Sequence, residues 1–165
     1  MQVDQVDLSI LRILHDNARV SLSAVATRIG LALATVHRRV QRLRSAGVIR
    51  GFFTRVEPQA MGFLLTAFVR LRVSDREGLE ERLAGLSQLP EIEEVHLITG
   101  EWDVLIKLRA RDPSHLRRLL GRIHSAAGTR RATTEMCLAT PLERCAPLHA
   151  ALVRGGAGGG EAAAG

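Results

Sequence analysis

A chain of 165 residues, 46% hydrophobic and 24% charged, has room for one or two small domains with their own cores. It lacks a run of the roughly 20 apolar residues a membrane span needs, and its acidic start (MQVDQVDLS) is unlike a secretory signal, so a cytoplasmic protein with no membrane partner is expected. The net charge of +6 is uneven: residues 1–57 hold nine arginines against Asp4, Asp7, Asp16 and Glu57, which marks the first third as the part suited to a polyanion.

In chain order, Asp4 reads as an N-cap, with Asp7 in the first turn where negative charge suits the helix dipole. Val6, Ile10, Leu11, Ile13 and Leu14 then supply the apolar stripe of a first helix ending near Asp16. Ser21 caps a second helix that buries Leu22, Val25, Ala26 and Ile29, and Gly30 stops it in the left-handed conformation. A third helix spans about Leu33 to Ala46 and ends at Gly47. Its Val36, Val40 and Leu43 recur at i, i+4 and i+7, which leaves Ala34, Arg38, Gln41, Arg42 and Ser45 pointing outward. A small, polar and basic outward face behind a tight turn is what a major-groove reader needs. The expected DNA-contacting set is Ser21, Ala34, Thr35, His37, Arg38, Arg39, Gln41 and Arg42, on a helix-turn-helix domain of residues 1–50. Val48 to Val56 turns to β-formers and is expected to leave the third helix as the strand of a wing, with residues 51–63 forming strand and linker.

The second half alternates element types. Leu64–Val73 reads as a strand with Ala67, Val69, Leu71 and Val73 on one side. A helix follows from Asp75 to Leu86, then strands at Ile92–Ile98 and Trp102–Arg109 joined through Thr99-Gly100-Glu101, where Gly100 can take a positive φ. Pro113 opens a helix with Leu116, Leu119, Leu120 and Ile123 on its core face, and Thr133–Leu138 reads as the last strand. The order β-α-β-β-α-β is that of a ferredoxin-like domain, residues 64–148, with one antiparallel sheet and both helices on one face, so the whole is α+β. Phe68, Val95, Leu97, Val104, Ile106 and Leu108 suggest a sheet that is apolar on both faces, which predicts pairing of two copies through the uncovered side. Residues 149–165, rich in Gly and Ala, are expected to be disordered.

Catalytic spacings are missing. Cys137 and Cys145 form no CxxC, the six histidines match no ligand pattern, and no Ser-His-Asp, P-loop or GxGxxG arrangement is present. No metal and no cofactor is expected, and a binding protein is favoured over an enzyme.

One ordered set of short motifs is specific. Val3-Asp4-x-x-Asp7-x-x-Ile10-Leu11, Asn17-Ala18-Arg19-x-Ser21, Gly30-Leu31, Thr35-Val36-x-Arg38-Arg39-Val40-x-x-Leu43 and Gly47-Val48-Ile49-x-Gly51 together resemble the N-terminal domain of the Lrp/AsnC (feast/famine) transcription regulators. Downstream, Glu94-Val95 followed by Thr99-Gly100-Glu101-Trp102-Asp103 resembles that family's ligand-responsive domain, and the likeness spans about residues 3–148. It implies a regulator that binds double-stranded DNA, forms homodimers assembling to tetramers or octamers, and takes a small effector, usually an amino acid, between ligand domains. By position, the resemblance places the effector at Thr99, Gly100, Glu101, Trp102 and Asp103, with Thr134 nearby. Three positions depart from the family pattern: Ala32 replaces a capping Ser, Trp102 a Tyr, and Ala132 a Thr. Two other readings share the architecture. A sirohaem decarboxylase would carry more histidine and aromatic character than HLITGEWDVLIKL, where His96 stands alone and Tyr is absent from the chain. An architectural DNA binder would respond to no metabolite.

Overall fold

In the computed structural model, which describes residues 2–143, Asp4 opens the first helix, α1 (Gln5–Asp16), with a reciprocal cap. Its carboxylate accepts the Asp7 N–H at 2.8 Å, and the Asp7 carboxylate accepts the Asp4 N–H at 3.2 Å. Two orphan donors of the helix end are thereby satisfied. Ser21 caps α2 (Leu22–Ile29) by accepting the Ala24 N–H, and Gly30, at φ +68°, turns the chain towards α3 (Leu33–Ser45). A side chain there would be strained by the left-handed backbone, which only glycine adopts freely. Ala32 stands at the N-cap of α3 and makes no side-chain cap bond. Ile10, Leu14, Val25, Ala26, Val36 and Val40 form the core of this helical unit, and Leu43 is also fully buried.

The strand expected at Val48–Val56 does not form among the described residues. The N–H groups of Val48 and Ile49 both turn back onto the Leu43 carbonyl, and residues 50–57 pair with no strand. A β-prone segment needs a partner edge to satisfy its backbone, and one copy of the helical unit offers none. The chain divides into its two units between Thr54 and Arg55.

The second unit carries one four-stranded antiparallel sheet in the order β2-β3-β1-β4, from β1 (Leu65–Val73), β2 (Ile92–Leu97), β3 (Val104–Ala110) and β4 (Thr129–Met136). Two helices, α4 (Leu79–Ala84) and α5 (Pro113–Ala127), cover one face. α4 is shorter than expected: Asp75 spends its side chain on the Glu77 N–H, the helix begins only after Gly78, and it gives way to a 3-10 turn over Gly85–Gln88. β4 begins four residues earlier than expected because Gly128 ends α5 directly against it.

The sheet also corrects the expectation of two apolar faces. β3 and β1 are central and β2 is an edge strand; Val69 pairs with Ile106, and Leu71 with Val104. Ala67, Val69, Leu71, Val104, Ile106 and Leu108 therefore share the helix-covered face and the core. Val95 and Leu97 lie in register with Ile106 and Val104 on that side, yet stay exposed at the edge. The open face carries Phe68 and Leu105 among Arg70, Lys107, Arg109, Glu94 and Glu135, so it is amphipathic. Among the described residues, no helix is long and apolar enough to cross a membrane, and no cluster of His, Cys, Asp or Glu could hold a metal ion. The predicted tail at 149–165, the end of the second domain at 144–148 and Cys145 lie outside the described residues.

Candidate nucleic-acid interface and effector loop

The outward face of α3 is set by what the helix must bury. Val36, Val40 and Leu43 are at most 5% exposed, and they pin the rod against its neighbours. At about 100° per residue the opposite side carries Ala34, Arg38, Gln41 and Ser45, and all four are exposed. His37 and Arg44 flank this face on one side and are exposed too, while Thr35, on the other side, is half-buried. Among the described residues, no ion pair ties up Arg38 or Arg44. Small Ala34 at the first turn leaves a base edge room to approach, and Arg38, one turn on, can reach either a phosphate or a guanine edge.

Two residues of the expected DNA set are differently engaged. Arg39 and Arg42 turn towards α1. Arg39 Nη1 donates to Asp4 Oδ2 at 2.6 Å and to Asp7 Oδ1 at 2.9 Å, and Arg42 Nη2 donates to Asp7 Oδ2 at 2.5 Å. The reason is electrostatic: Asp7 is wholly buried, and a buried carboxylate needs compensating charge. The Arg39 guanidinium also holds the Asp4 carboxyl below the usual carboxylate range. Sequence reasoning assigned Asp4 and Asp7 to capping alone. Two acids three residues apart on one helix and two arginines three apart on another were the available signal.

Ser21 is spent first on its own helix, accepting the Ala24 N–H, and its hydroxyl also meets that of Ser23 at 2.9 Å. It remains exposed at the start of α2.

In the sheet unit the loop Thr99–Asp103 folds back on itself. Gly100 takes φ +107°, the Ile98 N–H donates to the Asp103 carbonyl, and the Asp103 N–H donates to Leu71. The ring of Trp102, a residue 9% exposed, has two guanidinium groups over it, with Arg70 at 5.6 Å and Arg131 at 5.2 Å from its centroid. Such stacking contributes about 0.5–1 kcal/mol per pair at a partly exposed position. Arg131 also reaches Glu101 Oε1 at 3.2 Å, and Arg72 Nη1 donates to the Glu101 carbonyl at 2.6 Å. Thr99, Gly100 and Glu101 are exposed.

The Asp103 side chain is already occupied. It is 8% exposed and accepts the Val73 N–H at 3.0 Å and two donors of Arg76. The Val73 amide, and after it Arg76, lower its pKa. In this state it is a latch between the loop and the end of β1. Thr134 is not brought to the loop: it pairs with Val69 on the helix-covered face, whereas Thr133 pairs with Arg70 on the face where Trp102 lies. The resemblance gave Thr134 by position alone, whereas its face is set by the register with β1, in which a one-residue step reverses the side. Arg70 and Arg131 were missed as partners of Trp102, because cross-strand neighbours are set by register.

Comparison with known proteins covers both units. Residues 3–50 match a winged helix-turn-helix DNA-binding model, and residues 66–147 match the Lrp/AsnC ligand binding domain. The HTH-type transcriptional regulator FL11 of Pyrococcus horikoshii is 32% identical over 141 residues, covering 86% of this chain and 93% of that protein. The HTH-type transcriptional regulator LrpA of Mycobacterium tuberculosis is 35% identical over 132 residues, covering 80% and 88%. Among solved structures, a feast or famine regulatory protein from M. tuberculosis complexed with L-methionine superimposes with a TM-score of 0.82 at 32% identity, over 89% of this chain and 99% of that one.

Proposed function

The chain belongs to the Lrp/AsnC family of DNA-binding transcription regulators, and from that premise we propose that it is a cytoplasmic, sequence-specific regulator whose DNA affinity or assembly changes when a small metabolite, an amino acid, binds its sheet unit. The relatives are transcription regulators, which removes the sirohaem-decarboxylase alternative. The observation that carries the DNA half is the face of α3, where Ala34, Arg38 and Gln41 stand exposed directly behind a buried stripe. Arg38 is the base reader and Arg44 a phosphate contact. Arg39 and Arg42 serve first to seat the helix, and Ser21, Thr35 and His37 border the contact.

The effector half is supported by the relative complexed with L-methionine. In this reading Thr99, Gly100 and Glu101 meet the ligand, Trp102 forms a wall, and Asp103 holds the loop in shape from behind. A homodimer, assembling further to tetramer or octamer, presents two copies of α3 to successive major grooves about one helical turn apart. The effector acts only by binding one assembly state more tightly than another.

The test is a binding assay on duplexes selected from genomic fragments, with random duplexes as reference. Arg38→Ala should weaken binding to selected duplexes by about tenfold or more, a loss of roughly 1–3 kcal/mol, and affect random duplexes less. Arg44→Ala should weaken both alike. Equal losses for the two variants on every sequence would remove Arg38 from base reading. A thermal-shift screen of the amino acids on the full chain tests the effector, and no shift with any of them would favour an architectural DNA binder.

A further inference from the structure

Where the start of α1 crosses the flank of α3, two carboxylates and two guanidinium groups meet, and they are not equivalent. Asp7 is sealed in: 0% of its side chain is exposed, and its oxygens accept from Arg39, Arg42 and the Asp4 N–H. Asp4 stands at the solvent boundary with 48% of its side chain exposed. Its Oδ1 accepts the Asp7 N–H that caps α1, and its Oδ2 accepts Arg39 Nη1 at 2.6 Å. Arg39 is therefore held twice, once by a buried oxygen and once by an exposed one. Releasing the buried contact leaves Asp7 under-compensated, whereas an exposed ion pair can be given up at little cost.

The flank matters. Measured from the centre of the buried stripe, Arg39 and Arg42 lie about 60° and 120° round the helix on the side of Thr35, while the outward face is opposite the stripe. A duplex seated on that face runs its phosphates along the flanks of the helix, where the preceding helices of such domains meet the backbone. Asp4, about half exposed, thus holds Arg39 on a flank along which such phosphates would run.

We propose that Asp4 sets the DNA affinity of this regulator by occupying Arg39 as an internal stand-in for a phosphate: duplex binding exchanges the Asp4 carboxylate for a backbone phosphate, while Asp7 keeps Arg39 in place. This rests on α3 being the element that faces the duplex. The contact concerns the backbone alone, so its effect is the same on every sequence.

The experiment uses the full chain and fluorescence anisotropy on one selected and one random duplex across a salt series. Asp4→Asn keeps the cap, since Asn caps as well as Asp, and removes the charge; Asp4→Ser does the same and replaces it should the Asn variant fail to melt cooperatively. Asp4→Asn is expected to tighten binding severalfold at low salt on both duplexes. Arg39→Gln, which keeps Arg42 on Asp7 and offers it the Gln amide as a second donor, is expected to flatten the slope of log K against log salt by about 0.9 per subunit, the signature of one lost phosphate contact. In the double variant the gain from Asp4→Asn should vanish. Unchanged or weaker binding by Asp4→Asn, an unchanged slope in Arg39→Gln, or a gain that survives in the double variant would each overturn the exchange. Arg38→Ala, run alongside, separates the causes: if it leaves selected-site binding intact, the duplex does not sit on α3, and the proposal falls with that placement.

Discussion

The Asp103 carboxylate shows how one side chain can decide the shape of a loop. It joins the Val73 amide and Arg76 to a position that would otherwise be an ordinary hairpin end. Because these partners favour the charged form, its pKa in the folded unit lies below that of the unfolded chain. The linked stability is therefore complete above the ordinary Asp range, around pH 4, and is lost as pH falls through the folded value. Asp103→Asn keeps an acceptor for Val73 but gives up the charge. Thermal melting should show a loss of about 1–2 kcal/mol at pH 7, of the size of one charge-assisted hydrogen bond, and a shallower dependence of melting temperature on pH below about 4. Parallel acid profiles for variant and parent would show that the charge of Asp103 is not part of the latch.

At the scale of elements, α3 depends on its surroundings for its place. It lacks a side-chain cap at Ala32 and keeps its place through Val36, Val40 and Leu43 on one side and the Asp7 grip on another. The backbone at Ala32, φ −63° and ψ 141°, already has the extended geometry of a capping residue. Ala32→Ser should therefore stabilise the helical unit by about 1 kcal/mol, read as a higher melting temperature by circular dichroism. A neutral or negative shift would mean that the hydroxyl finds no free amide there. The missing cap was legible in the sequence, as were the three helices, their Gly30 and Gly47 stops and the order of the four strands, because caps and apolar periods are local signals. The grip of Asp7 on Arg39 and Arg42 was not legible, because that partner lies 32 and 35 residues away, and helical period alone fixes only the angle at which a side chain leaves the rod. The face of Thr134 was not legible for a related reason, since it is set by the cross-strand register that pairs Thr134 with Val69. Val48–Val56 has strand composition without a strand, because composition supplies a preference and pairing supplies the hydrogen bonds.

For the whole molecule, the open face of the sheet is the surface that pairing of two copies through the sheet would cover. It is not greasy throughout: Phe68 and Leu105 lie among Arg70, Lys107 and Arg109, and those cations are already paired within the chain. Arg70 reaches Glu135, Lys107 reaches Glu93 and Glu94 at 3.2 Å, and Arg109 reaches Glu93 at 2.8 Å, while His96 draws the Glu94 carboxyl below its usual range. Paired charges cost less to take out of water than bare ones, so this face can be covered without stranding an ion, and its apolar centre supplies the drive. The two expectations differ in a measurable way. If copies pair through this face, Phe68→Asp replaces the apolar side chain at the centre of the contact by a charged one, and light scattering at micromolar concentration should show the assembly reduced to monomers. The melting temperature of the parent should then rise with protein concentration and that of the variant should not, because association stabilises only the folded state that associates. DNA binding should weaken as well, since two recognition helices bound as one body gain from effective concentration and two free monomers do not. A variant that keeps both its mass in solution and its duplex affinity would show that the copies meet elsewhere, and that the pairing of charges on this face serves only to keep it solvated.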